Sequence, residues 1–257
     1  MLFRACLMAW EAIALLVGSG FLAGIINSVA GGGTFFTFPA LIFAGVPPVA
    51  ANVTSTIAVW PGAVSSAVAY RKQLQLKRND MMALMLTSFI GGGLGAVILL
   101  VTPEQTFTAL IPWLMLIATL LFAFGDKLRK QVIAVAEINY SSPKSVSLQM
   151  LIALYGGYFG AGIGILMLAM LNLLGLRDIH QMNALKTVLG SAINGVAVII
   201  FLFSGLVDWR AAAIMVLAAI IGGYVGAHYA QKMPKIWVKK FVILVGFAMT
   251  MWFFVKG

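Results

Sequence analysis

The chain has 257 residues, 62% of them hydrophobic and 9% charged, with a mean hydropathy of +1.03. Soluble domains carry roughly 25% charged residues, so this composition cannot clothe a globule in water and describes an integral membrane protein. The formal charge of +10, from 17 Lys and Arg against 7 Asp and Glu, sits in clusters between apolar runs. It is read as retention of cytoplasmic loops, not as a nucleic-acid-binding face.

Crossing roughly 30 Å of hydrocarbon takes about 20 helical residues. In chain order, apolar runs of that kind cover 8–29, 50–70, 81–101 and 107–124, then 148–163, 182–203, 211–229 and 238–255. A half-length apolar piece follows the first run of each set, at 34–45 and 165–175. The first run carries Glu11, exceeds a signal-peptide core in length and lacks a convincing cleavage site, so it is read as part of the mature chain. The stretch 125–147 is the longest polar one; it is read as a solvated cytoplasmic linker, although its Ile133, Val135, Ile138 alternation also suits a headgroup surface. The expected division is a first repeat over 1–125, a linker over 126–147 and a second repeat over 148–257.

The two sets are copies at one offset. Gly91, Gly92, Gly95 and Ala96 match Gly222, Gly223, Gly226 and Ala227 at a shift of 131; Ala30, Gly31 and Gly33 match Ala161, Gly162 and Gly164; Asn52 and Thr56 match Asn183 and Thr187. Repeats of this kind are frequent in secondary transporters. Basic residues cluster at Arg71, Lys72, Lys77 and Arg78, at Lys127, Arg129, Lys130 and Lys144, and at Lys232, Lys235, Lys239 and Lys240. The turns at 46–49 and 102–105 carry none. The positive-inside rule then puts the three basic loops in the cytoplasm, so that 50–70 runs outward to inward and 182–203 runs the other way. The expectation is an all-α polytopic protein of two inverted-topology repeats, each of about five segments including a broken or re-entrant short helix, with both termini periplasmic. A stricter count, excluding the short pieces, gives eight.

The run Ala30-Gly31-Gly32-Gly33-Thr34 lies between a full span and a half span, and each glycine costs about 1 kcal/mol against alanine inside a helix. Broken backbone at membrane depth is tolerated only in protein or beside a wet cavity. Gly31, Gly32, Gly33 and Thr34 therefore suit an anion cradle at a half-helix N-terminus, echoed at Gly160, Gly162 and Gly164; tight helix crossing is the alternative. The Gly91–Gly95 and Gly222–Gly226 clusters lie within full spans and are read as packing. Asn52, Thr54, Ser55 and Thr56, and Asn183 and Thr187 in the second half, are candidate ligands to an oxyanion or helix caps. Lys186 is an ionisable group four residues into an apolar run, which marks either substrate attraction or an amine reaching back to the headgroups. His228 is a proton-coupling candidate or an interfacial residue.

No Asp or Glu falls mid-span, which disfavours a cation substrate. Two histidines and Cys6 suggest no metal site, disulfide or cofactor. Nothing pairs a nucleophile with a base, so no enzyme is expected.

The residues Gly20-Phe-Leu-Ala-Gly-Ile-Ile-Asn-Ser-Val-Ala-Gly-Gly-Gly-Thr, then Phe38-Pro-Ala-Leu and Gly45-Val-Pro-Pro-Val-Ala-Ala-Asn-Val-Thr-Ser-Thr, resemble the opening signature of the sulfite exporter TauE/SafE family, which includes permeases of the 4-toluene sulfonate uptake type. The resemblance implies a bacterial inner-membrane transporter of sulfite, sulfonates or related anions, and a first-half site at Asn27, Gly31 to Gly33, Asn52 and Thr54 to Thr56. In the second half Ile163 interrupts the glycine run and Lys186 falls between Asn183 and Thr187. The partners expected are a small sulfur-containing anion and the bilayer, with a homodimer compatible with the sequence. An anion channel and a membrane assembly scaffold are the alternative functions.

Overall fold

A computed structural model of the chain describes residues 9–29, 32–70, 74, 76–130, 140–176, 178–228 and 235–256. Those residues form ten α-helices and no strand: α1 Ala9–Val29, α2 Thr34–Phe43, α3 Pro48–Tyr70, α4 Arg78–Val101, α5 Glu104–Lys130, α6 Pro143–Tyr158, α7 Ile163–Leu173, α8 Ile179–Leu202, α9 Trp209–His228 and α10 Lys235–Lys256. Five, α1, α4, α5, α8 and α9, contain windows long and apolar enough to cross a membrane. With ten and eleven residues, α2 and α7 rise only about 15–17 Å at 1.5 Å per residue, half the hydrocarbon thickness.

Each expected segment coincides with a helix, but the run expected over 148–163 ends at Tyr158, with Ile163 already in α7, and the linker is narrower than its composition suggested. Helix α5 continues to Lys130 and α6 starts at Pro143. Ser142 caps α6 by accepting from the Ser145 amide, with proline at the first turn, a favourable helix start. The residues 131–139 between them lie outside the described ones, as do Arg71 and Lys72.

Helix packing repeats the offset of the sequence. Shifting α1 to α5 by 131 residues lands on α6 to α10, and the pairs α1·α9 and α6·α4 exchange under that shift, as do α3·α9 and α8·α4, while α3·α8 and α5·α10 map onto themselves. These pairings are thus two-fold symmetric. At the self-mapping crossing the Trp60 indole donates to the Ser191 carbonyl (3.1 Å), across the same separation of 131. Thr119 in α5 and Thr250 in α10, also equivalent, each donate to the carbonyl four residues back at 2.7 Å.

Glycine makes the exchanged contacts possible. A methyl on Gly24 would overlap the Ala219 carbonyl of α9, one on Gly222 the Phe21 carbonyl of α1, one on Gly95 the Leu154 carbonyl of α6 and one on Gly157 the Gly92 carbonyl of α4. The glycine clusters of α4 and α9 therefore serve packing, as their place inside full spans suggested. In lipid no hydrophobic force drives helices together, so close backbone approach supplies the dispersion contacts instead. The outward faces remain apolar, as at Leu86, Ile90, Leu94 and Val101 of α4 and Leu217, Ile221 and Tyr224 of α9.

Aromatic residues lock the short helices in place. Phe38 of α2 is fully buried and meets Phe159 edge-on at 5.5 Å, Phe107 of α5 at 6.4 Å and Phe253 of α10 at 6.0 Å. Phe159 directly follows α6, so a single ring of the first half fixes the interruption of the second.

Two bonds group the turns that lack Lys and Arg. The Glu104 carboxylate accepts from the Val49 amide (3.1 Å), and the Asp208 amide donates to Thr54 Oγ1 (3.0 Å). On the other face, Ser141 donates to Asp80 (2.6 Å), joining the exposed Lys77 and Arg78 to the segment that carries Lys144. Beside them the buried Tyr140 hydroxyl has no partner among the described residues. Burial, then the Asp80 charge, pushes its pKa up to about 12. The raised folded value means that the folded state binds a proton the unfolded chain has released, so this group lowers stability as pH rises from 10 toward 12. Tyr140→Phe removes the orphan and is expected to raise thermal stability slightly at pH 7, by about 1 kcal/mol, and to flatten its decline above pH 10; a lowered melting temperature would contradict this.

Candidate functional site

The chain breaks where the glycines predicted it. Between α1 and α2, Gly32 has φ 107°; between α6 and α7, Gly160 and Gly162 have φ 76° and 74°. These left-handed conformations are open to glycine and strained for other residues. Neither Gly33 nor Gly162 offers a side-chain cap to the short helix behind it. Gly31 lies outside the described residues.

At the first break the Gly33 amide is occupied: it donates to Asn27 Oδ1 at 2.8 Å. Asn27 thus takes up one amide of the expected cradle, leaving its own Nδ2 donors without a partner among the described residues. A methyl on Gly33 would lie 2.7 Å from that Nδ2 and 2.9 Å from the Ala23 carbonyl, which explains the glycine. Thr34, nearly buried, opens α2. One turn on, Thr37 shares a 2.6 Å hydrogen bond with Ser55 of α3, both fully buried. Thr37 is a residue the sequence reading missed. Its only signal was a hydroxyl at helical spacing from Thr34 within an otherwise apolar half-helix.

The other first-half candidates turn their groups elsewhere. Thr56 donates to the carbonyl of Asn52 at 2.9 Å, so its proton is spent on its own helix. Thr54 accepts from Asp208. Asn52 Nδ2 donates to the Tyr158 carbonyl at 2.9 Å, at the last residue of α6, while its buried Oδ1 has no partner among the described residues. Asn52 therefore belongs to one half and touches the break of the other.

At the second break the Tyr155 hydroxyl donates to the Ala161 carbonyl at 2.7 Å, satisfying a group the interruption would strand. Gly164 faces Lys186: a methyl there would come within 3.2 Å of Lys186 Cδ and 3.9 Å of Cε. The lysine stem is half-buried against the first turn of α7, where the absence of a Cβ leaves it room. Lys186 occupies the position equivalent to Ser55 at the shift of 131. The hydroxyl contact of the first half is thus replaced by a cation in the second, beside the positive end of a half-helix. Thr187 donates back to Asn183 and Ala184, both at 2.9 Å, as Thr56 does to Asn52. The His228 side chain, at the end of α9, lies outside the described residues.

Ten apolar helices in two equivalent sets of five, each containing one interrupted helix pair lined by polar residues, define a multi-pass membrane protein of the transporter class. The family described as Sulfite exporter TauE/SafE matches residues 16–253, and the chain belongs to it. Relatives described as "Probable membrane transporter protein" occur in Haemophilus influenzae, at 28% identity over 93% of both chains, and in Sinorhizobium, at 29% over 94% of this chain and 92% of the relative. The Escherichia coli K12 relative, "Probable membrane transporter protein YfcA", is 24% identical over 89% of this chain and 84% of its own. No solved structure matches.

Proposed function

We propose that this chain is a secondary transporter of small sulfur-containing anions such as sulfite or sulfonates, working by alternating access in the bacterial inner membrane. The observation that carries the reading is Lys186 laid against Gly164 at the start of α7, with Asn183 and Thr187 on the same helix and Asn52 reaching across to the other end of the break. A fixed cation, a half-helix N-terminus and amide donors suit an anion near the membrane midplane. The first-half counterpart is Asn27, Gly32, Gly33, Thr34 and Ser55, with Thr37 supporting Ser55. The family description supports sulfur oxyanions as cargo.

The inverted arrangement is part of the proposal. Five helices per repeat reverse the direction of the second copy if all cross, and three reverse it if each short pair re-enters. The two-fold contact symmetry supports such a relation, and the Lys- and Arg-free turns gathered on one face support periplasmic termini.

The test is thermal stabilisation of the purified protein by sulfite, small sulfonates, sulfate and chloride. Millimolar sulfite or a sulfonate is expected to raise the melting temperature in the wild type and not in Lys186→Ala; equal shifts with all four salts would refute the reading. Gly32→Val is expected to retain folded protein and lose flux, because valine at φ 107° costs about 1–3 kcal/mol and distorts the break. Normal flux through that variant would remove the first break from the site.

A further inference from the structure

The polar side chains of α3 are not all ligands. Three hydrogen bonds tie the beginning of this helix to its surroundings on the face of the acidic turns: Val49 N–H to Glu104 at 3.1 Å, Asn52 Nδ2 to the Tyr158 carbonyl at 2.9 Å, and the Asp208 amide to Thr54 Oγ1 at 3.0 Å. The last two cross from the first repeat to the second. Asp208 is itself held, since its carboxylate accepts from the amides of Arg210 and Ala211 at 3.1 and 3.0 Å as the cap of α9.

The repeat supplies an internal control. At the shift of 131, Thr54 corresponds to Leu185 and Asp208 to Lys77, a pair that cannot form the equivalent bond because leucine has no acceptor. Asn52 corresponds to Asn183, whose side chain makes no hydrogen bond among the described residues. Helix packing is shared by the two halves, as the exchanged contacts of α1·α9 and α4·α6 show, whereas among the described residues the Thr54 and Asn52 ties are confined to α3. They are therefore not needed to build a repeat. They fasten one end of the assembly and leave the equivalent end of α8 without counterparts of the Thr54 and Asn52 bonds.

We propose that Thr54, Asn52 and Glu104 are positioning residues that latch the face bearing the 102–104 and 204–208 turns in the closed state. The proposal rests on the transport reading. A carrier must pass between states that differ by only a few kcal/mol, and single hydrogen bonds, each shifting the closed-to-open ratio by about fivefold, are strong enough to bias that equilibrium and weak enough to break in each cycle. Two of these residues, Asn52 and Thr54, thereby act on the path to the site and need not touch the cargo.

The test places one reporter cysteine at Ser55, fully buried beside Thr54, in a Cys6→Ser background, and measures its modification by a membrane-impermeant methanethiosulfonate in vesicles of each orientation. Thr54→Val keeps the shape and removes the acceptor; labelling from the Glu104 side is expected to accelerate about fivefold, with Thr54→Ser behaving like the parent. Glu104→Ala, at an exposed position, is expected to accelerate labelling from the same side and provides the readout should Thr54→Val fail to reach the membrane. Unchanged labelling in Thr54→Val, or in Glu104→Ala if that variant stands in, overturns the latch. Sulfite counterflow is measured on vesicles of the same latch variants that keep Ser55, because Ser55 belongs to the proposed site: intact flux with unchanged labelling of the cysteine reporter refutes the latch alone, and accelerated labelling of the reporter with no flux even in the Cys6→Ser parent that keeps Ser55 refutes the transport reading alone.

Discussion

Gly222→Ala and Gly157→Ala are expected to remove most folded protein from the membrane, while Gly18→Ala is tolerated. The added methyl of the first would overlap the Phe21 carbonyl and that of the second the Gly92 carbonyl, and a backbone atom cannot rotate away as a flexible side chain does. Relief requires moving α1 off α9, or α6 off α4, and those are the two equivalent contacts on which each half depends. Overpacking in a well-packed core costs about 1–3 kcal/mol and more where backbone must shift, a large part of a marginal stability. Around Gly18 nothing lies within 4 Å of the added methyl, and alanine is the better helix former by about 1 kcal/mol. Detergent-extracted yield and monodispersity on a sizing column check the contrast. Equal yields for Gly222→Ala and Gly18→Ala would show that the close approach is not what holds the helices.

Lys186→Ala is expected to lower anion flux at least tenfold while leaving yield unchanged, with Lys186→Arg retaining part of it. Truncating one partner of a desolvated charge pair costs about 2–5 kcal/mol, and in the proposed reading the bound anion loses such a partner. Arginine keeps the charge but is wider and flatter, and the groove over Gly164 is only as wide as a missing Cβ, 3.2 Å from Lys186 Cδ. Partial recovery by arginine therefore separates a role in charge from one in packing. Flux by Lys186→Ala equal to the wild type would remove this residue from the site.

Much of the architecture was legible because the membrane imposes it. Apolar length sets helix count, and the copies at a shift of 131 set the order, so the ten helices fall where the apolar runs fall. Helix ends were less legible: Lys127 to Lys130 look like a loop by charge, yet continue α5, because charged residues are acceptable in a helix once it has left the hydrocarbon. The breaks were legible from Gly32, Gly33 and Gly162, because clustered glycines at the end of a full span disfavour continuing the helix. Side-chain partners were not. Nothing in the spacing says that Asn27 would accept from Gly33, that Thr54 would accept from an amide 154 positions away, or that Thr37 would find Ser55, since each depends on how separate helices meet. The match of Ser55 with Lys186 was available from the offset alone, and it identifies the charge difference between the halves.

Counterflow in proteoliposomes tests the central claim most directly. Vesicles holding wild-type protein and loaded with unlabelled sulfite, then diluted into tracer sulfite, are expected to accumulate the tracer transiently above its equilibrium level, and vesicles with Lys186→Ala are not. Equilibration without overshoot would mean a channel, and uptake no greater than in protein-free vesicles would contradict anion transport by this chain.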